Sequence, residues 1–245
     1  MNMERKDKKE RKPRRTRSLI RKDIFDAVGG IVKNEGFSKL SINLISEYAE
    51  METVVIYRHF TSLEKIIEQY VERFDFWLSL FTLNEEKEEK ATNREAYLES
   101  IFEMLDFVHK KREIQQLIVW ELTEDNHITD GIAQRRELDL EAFSDKYVTL
   151  FEGTGIDVKA ISAIIISAIY YLSAHKNRSP FNGISTKGTE GRQIIMDSIS
   201  QIIGLLFDKK EKIKEKAIAR KMLEESIPME VVMKVTGLSK VEILG

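Results

Sequence analysis

The chain of 245 residues contains no cysteine, so neither a disulfide nor a thiolate metal site can contribute to its fold or chemistry. Proline is nearly as scarce. Only Pro13, Pro180 and Pro228 occur, and glycine gathers at Gly153/Gly155, Gly183/Gly188/Gly191 and the carboxyl end, which leaves long tracts in which a helix meets no breaker. No segment sustains the period-two alternation of a strand, so the chain reads as all-α. Long apolar runs are missing too. The nearest is Ala160 to Ala174, fifteen residues with three serines, short of the roughly 20 that cross a bilayer, and it reads as a buried helix rather than a membrane span. The basic amino terminus lacks the apolar run of a signal peptide, and the expectation is a soluble cytoplasmic protein. Catalytic signatures are absent as well: there is no HExxH, no glycine-rich phosphate loop and no nucleophile motif. Glu121, Asp125 and His127 form the one metal-like grouping, of a kind that solvated acidic helix faces produce routinely. No catalytic site, metal or cofactor is therefore expected.

What the chain does have is unevenly distributed charge. The total of −2 hides a segment from Met1 to Lys22 with 11 Lys and Arg against 3 Asp and Glu, leaving 28 against 38 in the remainder. Residues 1–16 thus read as a basic arm without apolar period, suited to following a phosphate backbone or entering a minor groove; the alternative is a solubilising tail. The body is acidic.

Directly after the arm, Ile20, Ile24, Ala27, Val28, Ile31 and Val32 recur with helical period, and Gly36 can end that helix. Leu40-Ser41-Ile42-Asn43-Leu44-Ile45-Ser46-Glu47-Tyr48-Ala49-Glu50-Met51 and the stretch closing on Ile56-Tyr57-Arg58-His59-Phe60 then read as a helix-turn-helix. Ile42, Ile45, Ala49, Met51, Ile56 and Phe60 can share one small core, which leaves Thr53, Val54, Tyr57 and Arg58 outside. Thr61-Ser62-Leu63-Glu64 has capping-box spacing, and Leu63, Ile66, Ile67, Tyr70, Val71 and Phe74 carry the period into a long fourth helix.

From about Arg17 to Val71 these residues resemble the DNA-binding head of the tetracycline-repressor (TetR) family of transcriptional regulators. Ile24, Ala27 and Val28, Gly36-Phe37, Ser41, Ile45 and Ala49, Ile56-Tyr57 with His59-Phe60, and Glu64 carry the likeness, the Tyr-x-His-Phe ending being its most specific element. The resemblance implies contacts with double-stranded DNA at a palindromic operator by Arg17, Ser41, Thr53, Val54, Tyr57, Arg58 and His59, with Tyr57 and His59 on phosphates. Four positions depart from the family pattern: Glu50 stands where the turn usually has Gly, Glu52 where Ser precedes the recognition helix, Val54 where a small Gly lies within it, and Leu63 where a Lys is usual. Carboxylates suit a helix N-terminus but oppose phosphate.

The body repeats the helical pattern. Thr92-Asn93-Arg94-Glu95 is a second capping box, opening a helix through Tyr97, Ile101, Leu105 and Val108; Glu113 to Asn126, Thr129 to Phe151 and Ile156 to His175 follow. After a connection from Lys176 to about Thr189, long enough to be mobile or functional, Ile195, Ile199, Ile202, Ile203 and Leu206 make another stripe. Small and apolar residues on the last two body helices allow close approach to a second copy or to each other. The resemblance favours the homodimer, with Ile161, Ile164, Ala168, Ile195, Ile199, Ile202 and Leu206 at its interface. It also implies a pocket for a small apolar or amphipathic effector near Trp77, Tyr97, His109, Trp120, Glu121 and Tyr147, although aromatic residues taken singly are ordinary core. An effector-independent architectural DNA-binding protein is the alternative.

After a charged helix from Asp208 to Glu225, the end of the chain reads as two short helices around Thr236-Gly237-Leu238-Ser239, with Pro228 in a first turn, Gly237 a C-cap and Ser239 an N-cap. This end resembles a small helical module at the ends of some bacterial transposase-related nuclease-like proteins, and its mixed charge suits docking on its own body or a partner better than reading DNA. The expected organisation is an arm at 1–16, a DNA-binding domain at 17–65, a ligand-binding and dimerisation domain at 66–208 and a helical tail at 209–245.

Overall fold

The computed structural model describes residues 16–74 and 93–244, which fall into two units that divide after Arg73. Among the described residues every regular element is a helix, and the one β-type pairing is an isolated antiparallel bridge between Phe181 and Ile184.

The first unit begins with α1 (Arg17–Glu35), whose N-terminus is capped by the Thr16 hydroxyl accepting from Leu19 N at 3.2 Å. A single 3₁₀ turn, Phe37–Lys39, leads to α2 (Ile42–Tyr48), α3 (Thr53–His59) and α4 (Leu63–Val71). Ile24, Val28, Ile31, Ile45, Ile56 and Ile66 are fully removed from solvent and form the seam where these helices meet. Phe25 stands edge-on to Phe60 at 5.4 Å, and the Arg21 guanidinium lies 4.3 Å over Phe60 while donating to the His59 carbonyl and to Gln69. Arg21 thereby ties α1 to the end of α3 and to α4. The cap of α4 sits one residue later than the sequence spacing suggests, because it is the Ser62 hydroxyl that accepts from Lys65 N. Regular helix stops at Val71, followed by a tighter turn to Phe74.

The second unit holds α5 (Arg94–Lys110), α6 (Arg112–Thr123), α7 (His127–Phe151), α8 (Val158–His175), α9 (Thr189–Glu224), α10 (Met229–Thr236) and α11 (Lys240–Leu244). Its core is aromatic at the centre: Tyr97 meets Tyr147 edge-on at 4.8 Å, Phe143 at 5.5 Å and Phe207 at 6.1 Å. The buried Tyr97 hydroxyl is satisfied by Ser162 at 2.6 Å, and Ser162 in turn donates to the Val158 carbonyl. Asn93 caps α5, Thr92 lying outside the described residues, and Asn126 with Thr129 forms a full capping box that starts α7 two residues before the expected Thr129.

Three expectations change. First, the helix expected to be buried, α8, buries only one face, with Ile165, Ile166 and Ile169 in the core and Ile164 and Tyr171 at 67% and 51% exposure. It is long and apolar enough to cross a membrane by length and composition, yet that apolarity is divided between core and surface. Second, the boundary expected at 208/209 falls inside α9, which runs unbroken for 36 residues. Nothing in Asp208-Lys209-Lys210 breaks a helix, since lysine and aspartate at a helical surface are tolerated. Third, the connection before α9 is anchored: Lys176 donates to the His109 carbonyl, Thr186 to the Leu172 carbonyl, and the Ser185 carbonyl lies so close to Gly191 that a Cβ there would collide with it.

Candidate functional site

In the first unit the turn between α2 and α3 sets the geometry of the helix-turn-helix. Met51 N donates to the Ser46 carbonyl at 3.1 Å and Glu50 N to the Glu47 carbonyl at 3.3 Å, the paired bonds of a Schellman motif. The residue in the left-handed position is Glu50, at φ 46°, where glycine is the residue that adopts this conformation without strain. The Ser46 hydroxyl donates to the Met51 carbonyl at 2.6 Å and locks the turn from its other side.

Downstream of that turn, α3 divides cleanly. Ile56 is fully buried and Phe60 nearly so, whereas Val54 and Tyr57 are 47% and 55% exposed and Arg58 is exposed beside them, at the i, i+3, i+4 spacing of one helix face. Thr53 is half-buried at the first position of α3. Ser41 caps α2, its hydroxyl accepting from Leu44 N at 3.2 Å, which leaves the O–H free to donate outward. Arg17 is exposed at the start of α1. His59 is half-buried, its Nδ1 has no partner among the described residues, and burial followed by the nearby Arg17 and Arg21 charges lowers its pKa, favouring the neutral ring. All seven residues singled out for DNA thus lie in one unit, five of them on one short helix. Glu50 and Glu52 are exposed next to that helix, and Glu52, its N-cap, makes no capping bond.

In the second unit the six residues expected at a ligand pocket do not converge. Trp77 lies outside the described residues. Tyr97 and Tyr147 fill the aromatic core, and burial pushes the Tyr147 phenol up to about 12. Trp120 is buried, and His109 is held by its carbonyl to Lys176 with its ring pKa lowered, first by burial and then by the Lys176 and Lys110 charges. Glu121 alone lines an open groove of about 360 Å³ between α6 and α8. Its carboxylate pairs bidentately with Arg136 of α7, the two side chains only 12% and 15% exposed, and the guanidinium stands 5.5 Å over the Tyr170 ring. Val119, Leu122 and Tyr171 add an apolar rim, with the His175 ring beside them. Sequence reasoning found Glu121 but not Arg136, since fifteen residues and a helix change separate the two.

The expected interface residues are placed on both sides of the last body helices. Ile164 and Ala168 are exposed on α8 and Ile202 on α9; Ile161 and Ile195 are half-buried; Ile199 and Leu206 are already buried in the chain's own core. The exposed stripe of α9 is Ile194, Ser198, Ile202 and Leu205, the last at 72% exposure. Leu205 and Ile194 were legible only as apolar residues out of phase with the core.

The carboxyl end closes a small core of its own, Ala219, Val232, Leu238 and Ile243, between the end of α9, α10 and α11. Gly237 turns the chain at φ 71°, and Ser239 and Glu242 form a reciprocal cap on α11. Lys212 of α9 pairs with Glu242 at 2.6 Å, and that hydrogen bond, followed by those from Ser239, pulls the Glu242 carboxyl down to about 2.

A family profile described as the Rpn/YhgA-like nuclease family, C-terminal HTH domain, matches residues 212–244, the span of this small core. No curated protein matches the sequence. Among solved structures, the fold is similar to that of a TetR-family transcriptional regulator candidate from Rhodococcus sp., with a TM-score of 0.55 and 17% identity over 75% of this chain and 98% of that one. It is also similar to a candidate fatty acid metabolism regulator of Clostridium perfringens, with a TM-score of 0.54 and 13% identity over 74% of this chain and 96% of that one. At such identities the likeness establishes the all-α fold, with about a quarter of this chain beyond it.

Proposed function

We propose that the chain is a cytoplasmic DNA-binding transcriptional regulator, a homodimer and a binding protein rather than an enzyme, acting as a repressor that a small-molecule effector releases from a palindromic operator. The observation that carries the reading is the division of α3, where Ile56 and Phe60 hold the helix on its unit while Val54, Tyr57 and Arg58 stand free to meet base edges and phosphates. Ser41 and the neutral His59 ring supply donors to phosphate, and Arg17 joins them from α1. Carboxylates at Glu47, Glu50 and Glu52 weaken this surface, so the basic residues 1–16 supply much of the electrostatic attraction.

A two-fold operator follows from a two-fold protein. The exposed apolar faces of α8, at Ile164 and Ala168, and of α9, at Ile202 and Leu205, support pairing with a second copy, which would set two α3 helices in successive major-groove segments about 34 to 36 Å apart. The groove beside Glu121 and Arg136 suits an apolar effector carrying one polar group that the ion pair can bond.

Selection of bound duplexes from random DNA tests the reading. An enriched palindrome is expected, with affinity falling about 10³- to 10⁵-fold between 50 and 200 mM salt if roughly 6 to 10 phosphates are neutralised. No enriched palindrome, or binding insensitive to salt, refutes it. Leu205→Glu should turn the dimer into a monomer and abolish palindrome preference while leaving each unit folded.

A further inference from the structure

The carboxyl-terminal unit is left unused by that reading, and its position on α9 bears on what it does. Ser198, Leu205, Lys212 and Ala219 recur every seven residues along one continuous helix, a spacing that drifts only about 20° per step. Ser198 and Leu205 belong to the exposed stripe, whereas Lys212 bonds Glu242 of α11 and Ala219 is fully buried against α10 and α11. The helical hairpin α10–α11 therefore stands on the same face of α9 that two turns earlier is apolar and uncovered.

The unit is also left uncovered on its outside. Val232 and Ile243 fill its core, but Val231 and Val235 on α10 and Val241 and Leu244 on α11 are 45% to 80% exposed, one helical turn apart in each pair. A surface that read DNA would present an excess of cations there, whereas α10 and α11 balance Lys234 and Lys240 against Glu230 and Glu242. Charge points the same way. Residues 209–221 carry 7 Lys and Arg against 2 Glu, while residues 93–208 carry 12 against 18, so the end of α9 is complementary to the body of this same protein.

We infer that the carboxyl-terminal unit of one subunit docks on the body of its partner, a second copy of this chain, and extends the α8–α9 interface as a clasp. The inference rests on the homodimer proposed above. In an isologous pair built on the exposed stripe, whatever stands on that stripe's continuation meets the other subunit, and each clasp sets exposed valines and a basic helix end against an acidic surface.

The test uses the full chain. Val235→Glu with Val241→Glu changes residues that are 65% and 80% exposed, so folding, checked by circular dichroism, should survive. The dimer dissociation constant by analytical ultracentrifugation should rise at least tenfold. Because the chain lacks cysteine, Val241→Cys can carry a benzophenone maleimide, and irradiation should give an inter-subunit adduct. An unchanged dissociation constant, or adducts confined to one chain, overturns the clasp; if Leu205→Glu still dissociates that dimer, the homodimer itself stands. A wild-type chain that stays monomeric at 100 µM overturns both. Unchanged dimerisation with lost operator affinity in the double variant overturns the clasp in favour of a second DNA contact.

Discussion

Replacing Glu50 separates two effects that the α2–α3 turn combines. The residue holds φ 46° at the left-handed position of a Schellman motif, and it places a carboxylate next to the surface proposed to face phosphate. A side chain in that conformation costs about 1 to 2 kcal/mol relative to glycine, of which the lower unfolded-state entropy of Glu offsets part, so Glu50→Gly should stabilise the first unit by about 1 kcal/mol. For a unit of this size about 1 kcal/mol corresponds to roughly 4 to 8 °C in melting temperature. The charge acts separately. At about 6 Å in water a unit charge pair is worth roughly 0.7 kcal/mol, about threefold in DNA affinity, less as salt screens it.

Glu50→Ala provides the discriminating comparison, because it removes the carboxylate but keeps a Cβ in the strained conformation. Glu50→Gly should raise both melting temperature and affinity for duplex DNA, whereas Glu50→Ala should raise affinity alone. Differential scanning calorimetry and fluorescence anisotropy at 50 and 150 mM salt read the two effects. A melting temperature unchanged by Glu50→Gly refutes the strain argument, and equal DNA affinity of all three proteins at low salt refutes the electrostatic one.

Removing one member of the largely buried Glu121–Arg136 pair strands the other, so Arg136→Met should cost about 3 kcal/mol in urea unfolding, and Glu121→Leu in the same chain should recover most of it. Because Ser162 donates to Val158 and accepts from Tyr97, Ser162→Ala leaves a buried phenol unpaired and should cost about 2 kcal/mol, against about 1 for Tyr97→Phe; the reverse order in chemical denaturation refutes this donor assignment. His109 has its folded pKa lowered below 6.5 by burial and then by Lys176 and Lys110, so the unfolded chain takes up the proton first. That contribution is complete above pH 6.5 and is lost as pH falls through 6.5 and the lower folded value. Melting temperature should therefore drop from pH 7 to 5, and His109→Gln should flatten the slope.

Much of this architecture is legible in the residues because the core is written in helical period: Ile24, Val28 and Ile31, then Ile45 and Ile56, are each buried where the spacing puts them. The helix-turn-helix and the small carboxyl-terminal core follow from the same logic, with Gly237 and Ser239 as punctuation. What the sequence hides is of two kinds. Partners distant in sequence, such as Arg136 for Glu121 or Ser162 for Tyr97, depend on how helices pack and leave no local mark. Continuity is equally hidden, since a charged stretch such as Asp208 to Lys210 reads as a boundary between apolar patterns yet carries good helix formers. Composition also misled for α8, because an apolar helix can face its own core on one side and solvent on the other.

The unbroken course of α9 has a mechanical consequence. Phe207 is fixed in the aromatic core, and seventeen residues later Glu224 lies about 25 Å along the axis at 1.5 Å per residue. With no proline or glycine after Gly204 to absorb bending, α9 works as a stiff lever. A tilt of about 10° at Phe207 would swing the far end by about 4 Å, close to one residue diameter, so a slight repacking around Tyr97 and Phe207 becomes a displacement large enough to make or break a contact at the carboxyl-terminal unit.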